Sequence, residues 1–446
     1  MAGNKKENLT MKMLAALAAG LIAGLGAIVI RENVNPETWD VINRLLFADI
    51  SAPGNESAAG LFYIAGQLFV RSLQLIIVPM VFTSIVLAMI RISDSRKLGR
   101  ISARTLGYFL ATTLAGIILA SAAGMAAYSA GAFRSAGLDL AASEGKTGTN
   151  ALMIIVNAVP NNFISALSNN SGVLAVVVTA LAVGLCINAR RDRIEIIPKI
   201  CREISDIITV FLTFTVNKFG PVAIFCLISR TCASYGIAYL KPALAYVLLT
   251  TALLLLILFA GYALFVKITT GLNPVPFVKK TARVALFGFS TSSSAAALPL
   301  NMKTATEELG VHEEIASFVL PLGMTVNMDG TAVMQVIAAI FIAGCAGYDI
   351  SVQTVLMIGV LAVIASIGTP AAPGAGAVIL FTILSGAGFT NETALMTYSL
   401  ILAINRPIEM LVTALNVAGD TACAVAVAKS ENALDEKVYA AGTDRQ

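Results

Sequence analysis

Hydrophobic positions run along this chain in long unbroken stretches, and polar residues gather between the stretches instead of alternating through them. Such runs cover about residues 13–30, 58–92, 104–129, 173–189, 199–229 and 240–266. A helix rising about 1.5 Å per residue needs roughly 20 apolar residues to cross a bilayer core, so these runs predict membrane-spanning helices. The run at 58–92 exceeds a perpendicular span and predicts a tilted helix. The first, "MLAALAAGLIAGLGAIVI", has the length of a secretory signal core, but no small-residue cleavage pattern follows it closely; it reads as a retained first helix. Residues 130–150 read as a polar external loop, and 151–172 as short pieces broken at "VPNN" and "SNNSG". Beyond 427 the chain turns polar and reads as a cytoplasmic tail.

Between 275 and 427 the pattern changes. "FGFSTSSSAAALPLNM" at 287–302 and "IGTPAAPGAGAVIL" at 367–380 each place a small-residue tip between two apolar arms. A run that enters the membrane and returns suits both, because non-helical backbone at that depth is tolerated only where protein buries it or it lines a cavity. Two ordinary kinked spans are the alternative. Each tip is followed by a segment with polar residues at mid-helix: Asn327 and Asp329 after the first, Asn416 and Asp420 after the second. Corresponding interruptions of this kind point to a binding site between two structural repeats.

Composition agrees with the pattern. Of 446 residues, 57% are hydrophobic and only 13% charged, against about 25% charged in soluble chains, and mean hydropathy is +0.83. Charge placement orients the chain. Lys5, Lys6 and Lys12 precede the first run; Arg91, Arg96, Lys97, Arg100 and Arg104 surround the gap after the second; Arg190, Arg191 and Arg193 follow a later one. The stretch 31–57 sets Glu32, Glu37, Asp40 and Asp49 against Arg31 and Arg44. The positive-inside rule therefore predicts a cytoplasmic N-terminus and an external 31–57. The six cysteines lie mostly in or near apolar runs without paired short spacing, which predicts buried thiols. His312 is the only histidine. It lies eighteen residues beyond Ser294 in a polar connection, so no histidine-based triad activates the serines of the first tip and catalysis is not expected.

Residues 405–423, "NRPIEMLVTALNVAGDTAC", carry Glu409, Val412, Thr413, Asn416 and Asp420 at steps of 3, 1, 3 and 4, which puts them on one helix face; Asn405 joins it four residues before Glu409. A polar network that merely holds the fold is one reading, and a ligand face is the other. Carboxylates, amides and carbonyls freed at broken helices are hard ligands able to replace the hydration shell of Na⁺. Asp329, Asp420, Asn327 and Asn416 supply them. Ser292, Ser293 and Ser294 offer hydroxyls and N–H groups to a carboxylate. Glu409 offers a partner to an ammonium, and Gly374 and Gly376 allow close backbone approach. Together these describe a site for a zwitterion and cations.

With "STSSSAAALP" at 290–299, "NMDGTA" at 327–332, "PGAGA" at 373–377 and "NVAGD" at 416–420, the chain resembles the dicarboxylate/amino acid:cation (Na⁺ or H⁺) symporter family, the glutamate-transporter fold. "VPMVFTSIVLAMIRISD" at 78–94 and "YFLATT" at 108–113 extend the resemblance, which covers about residues 12–430. It implies an all-α polytopic membrane protein with eight transmembrane helices and two re-entrant helical hairpins, working by an elevator movement within a homotrimer of the cell (inner) membrane. Residues 1–430 would form one membrane unit, with a scaffold from 13–92 and 151–229, a transport domain from 104–129 and 240–427, and a cytoplasmic tail at 431–446. By the same resemblance Thr112, Thr113, Asn327 and Asp329 would serve one Na⁺, and Asn416 and Asp420 a second, helped by carbonyls near Gly323 and Asn327. Carbonyls near Thr325 and the backbone at Ser366, Ile367 and Thr369 would serve a third. Ser293, Thr331, Gly376, Thr413 and Asn416 match positions around the amino acid.

Departures from the family pattern bear on the substrate. Val412 stands where members carrying acidic substrates place an arginine, and Thr291 and Met410 occupy the other positions that arginine takes in relatives. Arg406 lies six residues before Val412 and is expected to point elsewhere. Glu409 replaces the usual aspartate at the amine position, and Phe109 a tyrosine. A distal carboxylate without a cationic partner bears a large desolvation cost. The residues thus favour Na⁺-coupled symport of a small neutral amino acid. The alternatives are Na⁺- or H⁺-coupled symport of acidic amino acids or C4-dicarboxylates and, outside transporters, a substrate-independent ion channel.

Overall fold

The computed structural model describes residues 3–94, 99–134, 159–168, 173–190, 193–236, 240–367 and 369–441. Most of the expected external loop (135–150), parts of the broken segment after it (151–158 and 169–172) and the last residues of the tail (442–446) lie outside the described residues.

Among the described residues, seven helices are long and apolar enough to cross a membrane: Met11–Asn33, Leu61–Ile90, Gly99–Ser129, Ile196–Ser234, Lys241–Thr270, Glu313–Cys345 and Arg406–Ser430. Val173–Ala189, at 17 residues, occupies the remaining expected span. Two pairs of shorter helices fold back on themselves where the re-entrant segments are expected. Pro274–Thr291 returns as Ser294–Lys303 to form the first hairpin, and Val352–Ile367 returns as Ala375–Ala387 to form the second.

Three features depart from the sequence reading. The stretch 31–57 contains a helix, Pro36–Leu46, capped by the Asn35 side chain. The chain before the last long helix is also helical, Glu392–Ile404, and joins Arg406–Ser430 through Asn405. Asn405 therefore belongs to a helix break, where its Oδ1 accepts from the Tyr246 hydroxyl at 2.7 Å. Widened π turns interrupt three segments, at Thr215–Phe219, Ile257–Gly261 and Thr304–Glu308.

Burial sorts the helices into an interior and a shell. The most apolar windows of Glu313–Cys345 and Arg406–Ser430 are 94% buried, against 28% for Met11–Asn33. The first two are enclosed on every side by protein, whereas the outer helices keep one apolar face outward. Ile22, Leu75, Ile207 and Val210 lie on such faces and are exposed, as expected of surfaces that meet lipid. Where two outer helices touch, small residues let the backbones approach. A Cβ at Gly24 would overlap that of Cys232, and Ser229 donates to the Gly20 carbonyl at 3.2 Å.

Two polar anchors lie at chain connections. Arg230 donates to the Phe47 carbonyl at 2.9 Å and approaches Asp49 at 3.5 Å. Burial alone would raise the Asp49 carboxyl, but hydrogen bonds from Ser51 and Tyr63, with Arg230 nearby, outweigh it and hold the group below its ordinary value. At the other connection, the described part of the tail, 431–441, stays on the body of the protein. Asp435 N–H donates to the Gly310 carbonyl at 2.8 Å, and Leu434 bridges Val311. Lys280, 5% exposed on the first hairpin, donates its ammonium to the carbonyls of Glu308, Val438 and Tyr439 at 2.8, 3.0 and 2.8 Å.

Candidate functional site

The two enclosed helices meet where one of them is broken. Glu313–Val326 ends at Asn327, and the helix resumes at Asp329. The break leaves Asn327 and Asp329 with side chains that point into protein instead of lipid, 0% and 1% exposed. Thr113 donates to Asp329 Oδ1 at 2.5 Å, and Thr112 lies 3.3 Å from Asn327 Oδ1. Asn327 Nδ2 donates to Asp420 Oδ1 at 3.0 Å, joining the break to the last long helix. The residues expected to serve the first cation and Asp420 of the second are thus one contiguous buried cluster. Gly323 completes it: its carbonyl accepts from Asn327 N–H at 2.8 Å, and its bare Cα faces the Asp420 carboxylate. Phe109 adds a buried ring against Gly323, and its carbonyl accepts from Thr112 at 3.0 Å.

A further member carried no signal in the sequence. The Tyr262 hydroxyl donates to Asp329 Oδ2 at 2.9 Å from the end of the long apolar run at 240–266. The π turn Ile257–Gly261 directly precedes it. Gly419 admits the ring, because a Cβ there would overlap the Tyr262 hydroxyl oxygen. Asp329 is therefore held on both oxygens, by a threonine and a tyrosine from separate helices.

Beside this cluster lies a cavity with an empty volume of about 380 Å³, part of it open to solvent. The two hairpin tips form its rim. Ser292 and Ser294 come from the first, Thr369 to Gly374 and Gly376 from the second. The last long helix supplies Glu409, Val412, Thr413 and Asn416 along one face, as the spacing predicts. Thr331 and Met328 close the floor. Asn416 joins cavity and cluster: its Oδ1 accepts from Gly330 N–H at 2.8 Å, and its Nδ2 donates to Thr331 at 3.2 Å. The Ser292 hydroxyl is buried without a hydrogen-bond partner, and Ser292 takes a left-handed backbone at the tip, φ 49°.

Some expected site residues are placed differently. Ser293 is not part of the lining. Its hydroxyl donates to the Ala371 carbonyl at 3.1 Å and caps the returning arm at Ala296 N–H, so it ties the first tip to the second. Of the residues expected to serve a third cation, Thr369 N–H donates to the Ser366 carbonyl at 3.1 Å. Thr325, Ser366 and Thr369 each donate within their own segment, to Leu322, Val363 and Ala365, and Ile367 ends the first arm of the second hairpin. Gln335, unmarked in the sequence reading, donates to the Gly376 carbonyl at 3.0 Å and anchors the returning arm of the second hairpin.

Arg406 is not among the residues that line this cavity, but it is buried, 7% exposed, with Nη1 3.7 Å from Glu409 Oε2. It lines a second cavity, which shares Gly374 and Glu409 with the first.

Broken helices, facing hairpin tips and a buried acid–amide cluster lie together here. Residues 9–430 match the sodium:dicarboxylate symporter family. This chain belongs to that family. Among its relatives, the proton/sodium-glutamate symport protein of Bacillus caldotenax is 28% identical over 398 residues, 86% of this chain and 91% of the relative. The proton/glutamate-aspartate symporter of Escherichia coli (strain K12) is 27% identical over 451 residues, 97% and 95% of the two chains. An excitatory amino acid transporter of Caenorhabditis elegans is 31% identical over 255 residues, 57% of this chain and 50% of the relative. The two bacterial relatives are named as symporters of glutamate and of glutamate and aspartate. They give no support to the small neutral substrate favoured from Val412 and fit the acidic alternative better.

Proposed function

We propose that this protein is a secondary active symporter that carries an acidic amino acid together with Na⁺. One observation carries the cation-coupled reading: the buried cluster of Asp329, Asn327 and Asp420 touches, through Asn416, a cavity rimmed by two hairpin tips. Two carboxylates this deep need positive charge close by. A hard cation supplies it, and Asn416 then makes cation and substrate mutually dependent. The acidic substrate follows the names of the relatives. Their names include both proton and sodium coupling, and the oxygen-rich cluster favours Na⁺. In this reading residues 104–129 and 240–427 move as an elevator against a scaffold of 13–92 and 151–229, in a homotrimer of the inner membrane with cytoplasmic termini.

A neutral amino acid is the second reading. It rests on Val412 and on the lack of any lysine or arginine among the described residues that line the main cavity.

Uptake by the purified protein in liposomes separates these readings. An inward Na⁺ gradient is expected to drive saturable uptake of labelled aspartate or glutamate. Uptake of serine or alanine alone would select the neutral reading. A proton gradient that suffices without Na⁺ would replace the coupling ion. Current that neither requires substrate nor saturates would make the protein a channel and sink the symporter reading.

Tyr262→Phe tests the residue that the sequence left unmarked. Removing a hydrogen-bond partner from a metal ligand costs 10–100-fold in affinity. The half-saturating Na⁺ concentration is therefore expected to rise roughly 10-fold, while the protein stays folded because the ring is retained. An unchanged Na⁺ dependence would leave Tyr262 with a packing role only.

A further inference from the structure

The helix Pro36–Leu46 lines neither cavity, and its surface falls into three stripes. Trp39, Ile42 and Leu46 turn inward and pack with Ala27, Phe47, Phe62 and Ala233. Glu37, Asp40 and Arg44 form a polar stripe, in which Arg44 pairs with Asp40 at 3.8 Å. Between these two, Val41 and Leu45 lie one turn apart, 66% and 51% exposed. The helix thus has one broad apolar arc, of which protein covers only part. Both of its ends are fixed where membrane spans stop. Only Val34 and Asn35 separate it from Asn33, the last residue of the first span. At its other end the Arg44 carbonyl accepts from Ala59 and Gly60 N–H at 2.9 and 3.0 Å, directly before Leu61 opens the second span. Gly60 permits this approach with a left-handed backbone, φ 49°, and a Cβ there would strike the Ala48 carbonyl. Arg31 adds a tie to the Ala233 carbonyl at 3.1 Å, near the end of the span Ile196–Ser234. A helix of 11 residues, about 16 Å long and held at both ends at this level, lies along the membrane surface instead of projecting from it.

We infer that Pro36–Leu46 is an interfacial helix whose Val41–Leu45 stripe is seated in a zwitterionic phospholipid surface. Position and charge identify the occupant. The first span ends on exposed Val29 and Ile30, 58% and 43%, so apolar surface left open by protein is present on both sides of the two-residue turn. A helix with an apolar face beside a polar one rests at the boundary of headgroups and acyl chains. Trp39, half-buried in this helix, is the residue type that favours that depth, an apolar ring with a polar N–H. Helices drawn to anionic lipid carry Lys and Arg on the polar face. This one carries two carboxylates and a single guanidinium, which is already paired with Asp40. Headgroup charge therefore offers no attraction, and apolar contact supplies the binding. The polar stripe stays in water while Val41 and Leu45 enter the boundary. The consequence is mechanical. The helix pins the ends of the first two spans at one membrane level, and both belong to the part proposed above as the stationary scaffold. The lipid contact itself does not depend on the substrate or the coupling ion.

Trp39 is the only tryptophan, so tryptophan emission reports this helix within the full chain. Two variants move the probe around the helix. Trp39→Phe with Val41→Trp places it on the proposed lipid stripe, and Trp39→Phe with Asp40→Trp on the polar one. Losing the exposed Asp40–Arg44 pair costs little stability. Each protein is reconstituted in phosphatidylcholine liposomes. Phospholipids brominated high or low on the acyl chain quench from the lipid side, and iodide on both sides of the membrane quenches from water. The Val41→Trp protein should lose most of its emission to the high bromine, less to the low one and little to iodide. The Asp40→Trp protein should show the reverse preference, losing emission mainly to iodide. Wild-type Trp39, which needs no substitution, should be quenched more by the high bromine than by the low one. Iodide quenching of the Val41→Trp protein equal to that of the Asp40→Trp protein would put the stripe in water and overturn the inference. A probe at Val41 shielded from both quenchers would mean that protein covers the stripe, as in a contact with a second copy of this chain, and would overturn it equally. Wild-type emission untouched by either brominated lipid would do the same without any substitution.

Discussion

Asp329→Asn abolishes cation-driven uptake while leaving the protein folded. The substitution keeps the shape of the side chain; its amide oxygen accepts from one of the Thr113 and Tyr262 hydroxyls and its amide N–H donates to the other, so the hydrogen bonds at 2.5 and 2.9 Å have replacements. What it removes is a full negative charge at a position 1% exposed. Partners that merely hold a ligand are worth 10–100-fold in metal affinity, and a direct ligand is worth at least the upper figure, so the half-saturating Na⁺ concentration should rise by roughly 100-fold or more. Substrate affinity should fall with it at fixed Na⁺, because Gly330 beside Asp329 donates to Asn416, which lines the cavity proposed to hold the substrate. Linkage makes that coupling reciprocal. Titrating Na⁺ against aspartate uptake, with the melting temperature as a control for folding, checks both effects. Retention of wild-type Na⁺ dependence would remove Asp329 from the cation site and with it the central element of the proposed function.

Lys280→Met produces the largest expected loss of stability. The ammonium is buried and donates to three carbonyls, two of them on the tail, and methionine fills similar space with no donor. Each hydrogen bond to a charged group contributes roughly 1.5–3 kcal/mol. Part of the sum is offset because the ammonium no longer has to be desolvated, which leaves a net cost of roughly 3 kcal/mol. The expected result is a lower melting temperature of the detergent-solubilised protein and faster proteolysis of residues after Ser430. Arg100 and Arg104, which pair with Glu431, would still hold the start of the tail. An unchanged melting temperature would show that the tail contributes nothing to the fold. The connection reaches the cavity because Lys280 lies on the arm that carries the Ser292 tip.

Several features of the site were legible because they depend only on local periodicity. The face formed by Glu409, Thr413, Asn416 and Asp420 repeats at helical spacing, and the structure places it against the cavity and the cluster. The interruption at Asn327 to Gly330 stands out for the same reason: acid, amide and glycine within an apolar run have few uses other than lining an interior. Arg406 was partly legible. It stands one helical turn from Glu409, but comparison with Val412 directed attention away from that neighbour. Hidden from the sequence was that both residues are buried, because burial depends on which helices and hairpins surround Arg406.

The remaining features joined distant parts of the chain. Tyr262 and Asp329 are 67 residues apart, and nothing in the apolar helix around Tyr262 distinguishes its hydroxyl from that of any interfacial tyrosine. Ser293 was expected at the substrate because it lies within a run of serines; contact between the tips turned its hydroxyl to the Ala371 carbonyl. By itself, the sequence determined the medium, the broken segments and the polar face of the last long helix. Hydropathy and helical periodicity are properties of neighbouring residues, and bilayer thickness converts them directly into structure. Only the tertiary structure decided which polar groups meet and which remain unpartnered. A hydrogen bond needs its two atoms within about 3 Å, and for residues on different helices that distance is set by packing.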